Sequence, residues 1–303
     1  MNIKNHTKTT LLAALVGLAI SGTASAGKPV YVGKNIAAAQ QVSMDKINHS
    51  TWDRLMKKYV DKNGMVNYRA LKASASDMQV IDQYLGTLST ANPRGQASRE
   101  GQLAFWINAY NAVTVKGILQ KYPTTSIRNH TAKAIGYNIW KDLQLIVGGR
   151  PISLDDMEHK VLRKMNDPRI HFAIVCASIG CPRLLNEAYV PQKVKQQLDI
   201  NAKDFFSRPQ NFRHAGNQFQ MSSIMDWFKG DFGANQTAQL NTISQWLPTA
   251  AAQNAARSGR VSISYLDYNW QLNEQAKAMA GSGSKAGSGA KAGSGTKVGA
   301  GRR

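Results

Sequence analysis

The chain has 303 residues, 38 Lys or Arg against 18 Asp or Glu for a formal net charge of +20, and two cysteines. Two cysteines exclude a disulfide-dense scaffold, and the longest apolar run, residues 11–20, is half the ~20 residues a bilayer-crossing helix needs, so no membrane-spanning segment is expected in the mature chain. The positive excess favours acidic partners in general, but no recognisable nucleic-acid motif accompanies it, so nucleic acid is not expected among them.

Residues 1–26 read as a secretory signal peptide. Lys4 and Lys8 form a basic lead without acids, an apolar run follows, and Ala24-Ser25-Ala26 is a small-residue cleavage site. The leader is of bacterial type, so the expected protein is exported, periplasmic or secreted, in a compartment where thiols are oxidised. Residues 27–50 read as a linker and the start of the first helix, and 51–280 as a single domain. Residues 281–303 repeat Gly, Ser, Ala and Lys, with Lys285, Lys291, Lys297, Arg302 and Arg303. Such a segment lacks the apolar surface to offset its ordering entropy and reads as a disordered tail. Without the two leader lysines and the five tail charges, 31 basic residues still face 18 acidic ones. The domain itself is therefore basic, which suits anionic envelope polymers or a lipid surface.

Apolar spacing predicts a helix over 43–60, then a turn at Asp61-Lys62-Asn63-Gly64. That turn is no calcium loop: Gly falls at position 4 instead of 6, and Lys72 stands where a Glu is needed. Residues 101–121 give the strongest helix, with Leu103, Trp106, Tyr110, Val113 and Gly117 on its core stripe. Asn108 and Asn111 beside it either cap neighbouring loops or line a polar cleft. Residues 143–153 read as a hairpin through Gly148-Gly149. Ser153 and Asp156 then open a helix to about 165, in which Glu158 and His159 point about 100° apart. Residues 170–175 read as a buried strand, which would aim His171 away from Cys176. Beyond it come a helix from Pro191 through Phe205, a hairpin over 212–221, a short helix from Ser223 closed by Gly230, a helix over 236–247, and a last strand through Val261, Ile263 and Tyr265. Helices and strands mix without a steady βαβ rhythm, so the fold class is α+β.

The segment HFAIVCASIGCPRL, 171–184, carries both cysteines five positions apart. A disulfide between Cys176 and Cys181 requires the intervening residues to turn. A nucleophilic Cys176 requires a base, for which His171 and His159 are available, and an orienting acid, for which Glu158 is available. A zinc site is disfavoured because the spacing lacks the paired ligands such sites use. No cofactor is expected.

Five blocks in order, FWINAYNA, ISLDDMEHKVLR, DPRIHFAIVCASIGCPRL, AYVPQKVKQQL and SIMDWFKGDF, resemble the DUF547 family of uncharacterised proteins. The resemblance implies an α+β domain similar to papain-like peptidases and transglutaminases, here with an N-terminal helical flank. It implies Cys176 as the nucleophile, His171 or His159 as its partner, and Glu158 as the carboxylate. Trp106, Asn108, Asn111, Arg183, Asp226, Trp227 and Asp231 are then the expected substrate-binding residues. The chain departs from the family pattern at Met157, Met225 and Phe228. The expected activity is a cysteine-dependent hydrolase or acyltransferase on an amide bond of a small or thiol-containing peptide. The alternative is a non-catalytic envelope module that binds anionic polymers.

Overall fold

The computed structural model describes residues 27–132 and 136–276. The leader and the tail of the sequence reading lie outside them. Among the described residues, no helix is long and apolar enough to cross a membrane.

The stretch read as a linker contributes a strand, β1 (Val30–Val32). The helix expected over 43–60 splits into a short 3-10 turn, Met44–Lys46, and α1 (Ser50–Tyr59), because Asn48 folds back to accept the Ser50 N–H at 2.9 Å and starts the helix afresh. Two further helices, α2 (Tyr68–Ala73) and α3 (Ala75–Leu88), complete an N-terminal helical flank. The longest element is α4 (Arg99–Lys121), 23 residues capped by Ser98, whose hydroxyl accepts the Gly101 N–H at 2.9 Å. Every residue from Leu103 to Leu119 is buried, so α4 is the central rod of the larger core.

A short α5 (Ile139–Asp142) leads into β2 (Leu143–Val147) and β3 (Arg150–Ser153), the hairpin expected from the sequence. Gly148 and Gly149 turn it with φ of +56° and +76°, values that favour glycine at both positions. β1 adds to β2 in parallel. The sheet sits close to α4 because Gly117 has no side chain: a Cβ there would meet Leu143 Cδ2 at 2.6 Å.

The predicted helix after Ser153 begins as α6 (Leu154–Asp156), with Ser153 accepting the Asp156 N–H at 3.1 Å. It widens into a π-turn over Met157–Leu162 and closes with a 3-10 turn, Arg163–Met165. The residues expected to form a strand at 170–175 do not extend. Pro168–Phe172 is a 3-10 turn, with Pro168 at its start and Asp167 accepting the Arg169 N–H at 3.1 Å. The apolar run is buried on several sides because it lies between two cores: Ile170 and Ala173 belong to the α4 core, while Phe172 packs 4.7 Å from Phe205 in the second.

That second core is formed by α7 (Val194–Ser207), a sheet of β4 (Phe212–Ala215), β5 (Gln218–Ser222) and β6 (Ser262–Leu266), and four further helices: α8 (Ile224–Trp227), α9 (Lys229–Phe232), α10 (Gln236–Ser244) and α11 (Ala250–Ser258). Gly230 lies inside α9 and does not end a helix. β4 and β5 are antiparallel and β6 joins β5 in parallel. Two separate three-stranded sheets among many helices make this an α+β arrangement.

Candidate functional site

A cavity of about 270 Å³ opens where α4, the π-turn, the cysteine loop, α8 and the C-terminal segment meet. Glu158, His159, His171, Cys176, Cys181 and Trp227 all line it. Regular α-helical spacing would point Glu158 and His159 about 100° apart; the wider π-turn presents both to one space. Because Pro168–Phe172 is a turn and not a strand, His171 also lines the space that Cys176 lines.

The cysteine loop is folded tightly. Ala177 adopts a left-handed φ of +56°, a conformation that costs a residue with a Cβ about 1–2 kcal/mol. This brings the Cys176 and Cys181 Cα atoms to 6.3 Å, and their sulfurs are joined as a disulfide. The C-terminal segment pins the loop: Ile179 N–H donates to Gln271 O and Gly180 N–H to Asn269 O, both at 2.8 Å. Gly180 allows this approach, since a Cβ there would meet Asn269 N at 2.9 Å.

Hydroxyls and an amide surround the two sulfurs. The Cys176 N–H donates to Cys181 Sγ at 2.8 Å. Tyr268 Oη lies 3.0 Å from Cys176 Sγ and 3.1 Å from Cys181 Sγ. Ser178 Oγ lies 3.0 Å from Cys176 Sγ and donates to Tyr268 Oη at 3.1 Å. Cys176 is half-buried, whereas Cys181 is only 8% exposed. Among the described residues, no hydrogen bond joins either sulfur to a histidine.

His171 is fixed from two sides. Its side chain is 1% exposed, its ring stacks on Phe228 at 4.1 Å, and Nε2 meets Asp231 Oδ2 at 2.7 Å. Arg163 grips the same carboxylate with Nε at 2.6 Å and Nη2 at 2.8 Å. That guanidinium, with the imidazole adding to it, lowers the Asp231 pKa below the usual carboxylate range. An ionised Asp231 takes a proton-bearing Nε2, which leaves Nδ1 as the bare lone pair of a neutral imidazole. Burial pushes His171 down to about 4, against the opposing pull of Asp231.

Glu158 does not hold an imidazole. Its Oε2 accepts from the Tyr110 hydroxyl at 3.1 Å, and burial raises its pKa. The carboxylate that hydrogen-bonds the His171 imidazole is Asp231, a substrate contact in the sequence reading, and not Glu158. His159 is the more open histidine: its Nδ1 accepts from Arg163 Nη1 at 3.1 Å, and its Nε2 lies 3.8 Å from Asp155.

Several expected contacts stand behind the wall instead of in it. Asn108 is buried and exchanges two hydrogen bonds with the Tyr189 backbone, at 2.7 and 3.0 Å. Asn111 does the same for Ala173 O and Val175 N, both at 3.0 Å. These amides cap loops, the other role open to them in the sequence. Trp106 is buried against Phe105. Arg183 bonds Asn201 and the Lys62 carbonyl, and Asp226 pairs with Lys229. Of the expected aromatic contacts, Trp227 alone lines the cavity. It is 49% exposed and stacks on Trp270, while Tyr268 packs against both rings.

Sequence reasoning missed Tyr110, Ser178 and Tyr268. Tyr110 belongs to the core stripe of α4, and only its hydroxyl, on Glu158, departs from that. Tyr268 lies 92 residues from Cys176 in an aromatic stretch without periodicity, so no spacing could pair them. No metal-ligand cluster occurs among the described residues.

No curated protein and no solved structure matches the chain. Residues 95–206, running from α4 to α7 and including both cysteines, His159, His171 and Glu158 but neither Asp231 nor Tyr268, match the family described as a protein of unknown function, DUF547.

Proposed function

We propose that the cavity performs cysteine-dependent acyl chemistry of the papain-like kind, hydrolysing or transferring an amide-linked acyl group of a small peptide. The carrying observation is that one cavity is lined by a half-buried cysteine, a carboxylate-anchored imidazole and a carboxyl group of raised pKa. In the reduced protein, Cys176 Sγ attacks the carbonyl carbon and the S–C bond forms. His171 Nδ1 takes the thiol proton and returns it to the leaving amine as the C–N bond breaks; water then releases the acyl group. The N–H of Cys176 and the hydroxyl of Tyr268 are donors close to the reacting sulfur, suited to the oxyanion. Glu158, whose pKa burial raises, stands in the same wall.

The lining favours a neutral or cationic substrate. Asp155 and Glu158 line the cavity, whereas none of the basic residues that dominate the chain does so apart from its two histidines. Aromatic faces of Trp140, Trp227 and Trp270 suit an apolar or ammonium group. With residues 1–26 acting as an export signal, the protein works in an oxidising compartment, and the Cys176 to Cys181 bond is its resting state.

The bond itself favours a second reading, a non-catalytic envelope module, because a disulfide offers no nucleophile. An acyl-transfer test separates the two. Reduced protein is incubated with p-nitrophenyl acetate, and the peptides are mapped by mass. The catalytic reading expects an acetyl group on Cys176, absent in Cys176→Ala and formed at least about tenfold more slowly in His171→Gln, within the usual range for general-base contributions. No adduct, or an adduct indifferent to His171, supports the non-catalytic module.

A further inference from the structure

We infer that the Cys176 to Cys181 bond is addressable by a small thiol in the folded protein, with Cys176 as the attacked sulfur and Cys181 as the leaving one. This goes beyond the acyl chemistry and holds whether or not Cys176 transfers an acyl group. Three observations lead to it.

The bond lies in the wall of a cavity and not in a core, so a thiol can reach it without unfolding the chain. Both cysteines line the cavity, but as residues Cys176 is half-buried and Cys181 only 8% exposed, which favours attack at Cys176. They also differ in how a negative charge would be received. The hydroxyls of Tyr268 and Ser178 are shared between them, but the backbone N–H of Cys176 points at Cys181 alone, at 2.8 Å. An amide donor fixed in a pinned loop stabilises a departing thiolate, and a better-stabilised leaving thiolate leaves faster.

The step balances as follows. A small-molecule thiolate attacks Cys176 Sγ and forms a new S–S bond. The Cys176 to Cys181 bond breaks, and its electron pair goes to Cys181 Sγ. A second thiol molecule attacks the mixed disulfide and forms the external disulfide, leaving Cys176 reduced. The small thiol is oxidised and the protein is reduced by two electrons. The hydrogen bonds from Ile179 and Gly180 to the C-terminal segment involve neither sulfur, so opening the disulfide does not itself remove them.

The experiment uses the full chain, oxidised and native, with cysteamine as the thiol and rapid quenching by N-ethylmaleimide. Both cysteines fall between Arg169 and Arg183, so one tryptic peptide reports both by fragmentation. The expected intermediate carries cysteamine on Cys176 and maleimide on Cys181, formed without denaturant. Tyr268→Phe, which removes one shared donor, slows formation about 3- to 10-fold, the range expected for one hydrogen bond. Should that variant misfold by circular dichroism, Ser178→Ala provides the same comparison. Cysteamine on Cys181, or a bond that opens only after denaturation, overturns the inference. An adduct on Cys176 with no acyl transfer in the acetate assay would uphold this inference while refuting the proposed function.

Discussion

Replacing Asp231 by Asn tests the anchor of the candidate base. In the native protein, one carboxylate receives three donors: Arg163 Nε and His171 Nε2 on Oδ2, and Arg163 Nη2 on Oδ1. An asparagine has one oxygen and one NH2. If its oxygen keeps the position of Oδ2, the amide hydrogens face Arg163 Nη2, donor against donor. The substitution then loses one charge-assisted hydrogen bond, worth about 1.5–3 kcal/mol, and the ion pair with Arg163. That pair is partly solvated, with side chains 33% and 23% exposed, so its Coulombic part is modest. The expected loss is about 2–3 kcal/mol, which for a domain of this size lowers the melting temperature by about 4–12 °C. Thermal unfolding of wild type, Asp231→Asn, Arg163→Gln and the double variant provides the assay. The double variant should lose less than the sum of the singles, because both act on one network. A melting temperature within about 1 °C of wild type for Asp231→Asn, or strict additivity, would refute the reasoning.

Further expectations concern acid, alkali and packing. His171 and His49 are both pushed down to about 4 by burial, so folding favours their neutral forms. Their contribution is present above the unfolded value near 6.5 and is lost as pH falls towards 4. Each costs up to about 3 kcal/mol across that window, and urea melts of His171→Gln should show a flatter acid limb. Glu158 has the opposite sign: its folded pKa is raised, so its contribution is present below the unfolded value and is lost as pH rises through the folded one. Glu158→Gln should therefore gain stability relative to wild type on going from about pH 4 to about pH 8, measured as the difference in urea midpoints. Asn111→Ala leaves Ala173 O and Val175 N without their side-chain partner, and each unsatisfied group costs about 1–3 kcal/mol; an unchanged urea midpoint would contradict the loop-capping role. Phe172→Ala should cost about 3–5 kcal/mol because the ring is fully buried among Phe205, Phe206, Phe232 and Trp246.

Elements with a local signal were readable in the sequence. α4 announces itself by its stripe, the β2 and β3 hairpin by Gly148-Gly149, and α6 by Ser153 with Asp156. The turn at Pro168–Phe172 was not, because an apolar run of that length suits a strand or any segment buried between two cores, and only the neighbours decide. Asp231 and Tyr268 were out of reach for a related reason. One lies 60 residues from His171 and the other 92 from Cys176, and the pairing of such positions is a property of the packed fold. Asn108 and Asn111 show the converse: the loop-capping role that the residues themselves suggested is the one the hydrogen bonds display. Phe228 stacks on His171 and lines the cavity, a contact 57 positions apart that no local spacing announces.

The central claim is that Cys176, once released from Cys181, is an activated thiol. The direct measurement is the rate at which iodoacetamide alkylates Cys176 in a Cys181→Ser variant, followed across pH. With Tyr268 and Ser178 hydroxyls each 3.0 Å from its sulfur, where they can hydrogen-bond a thiolate, Cys176 should titrate below the ordinary thiol value of about 8.5. A midpoint at or above about 8.5, with a rate no faster than an unfolded thiol, would contradict the account.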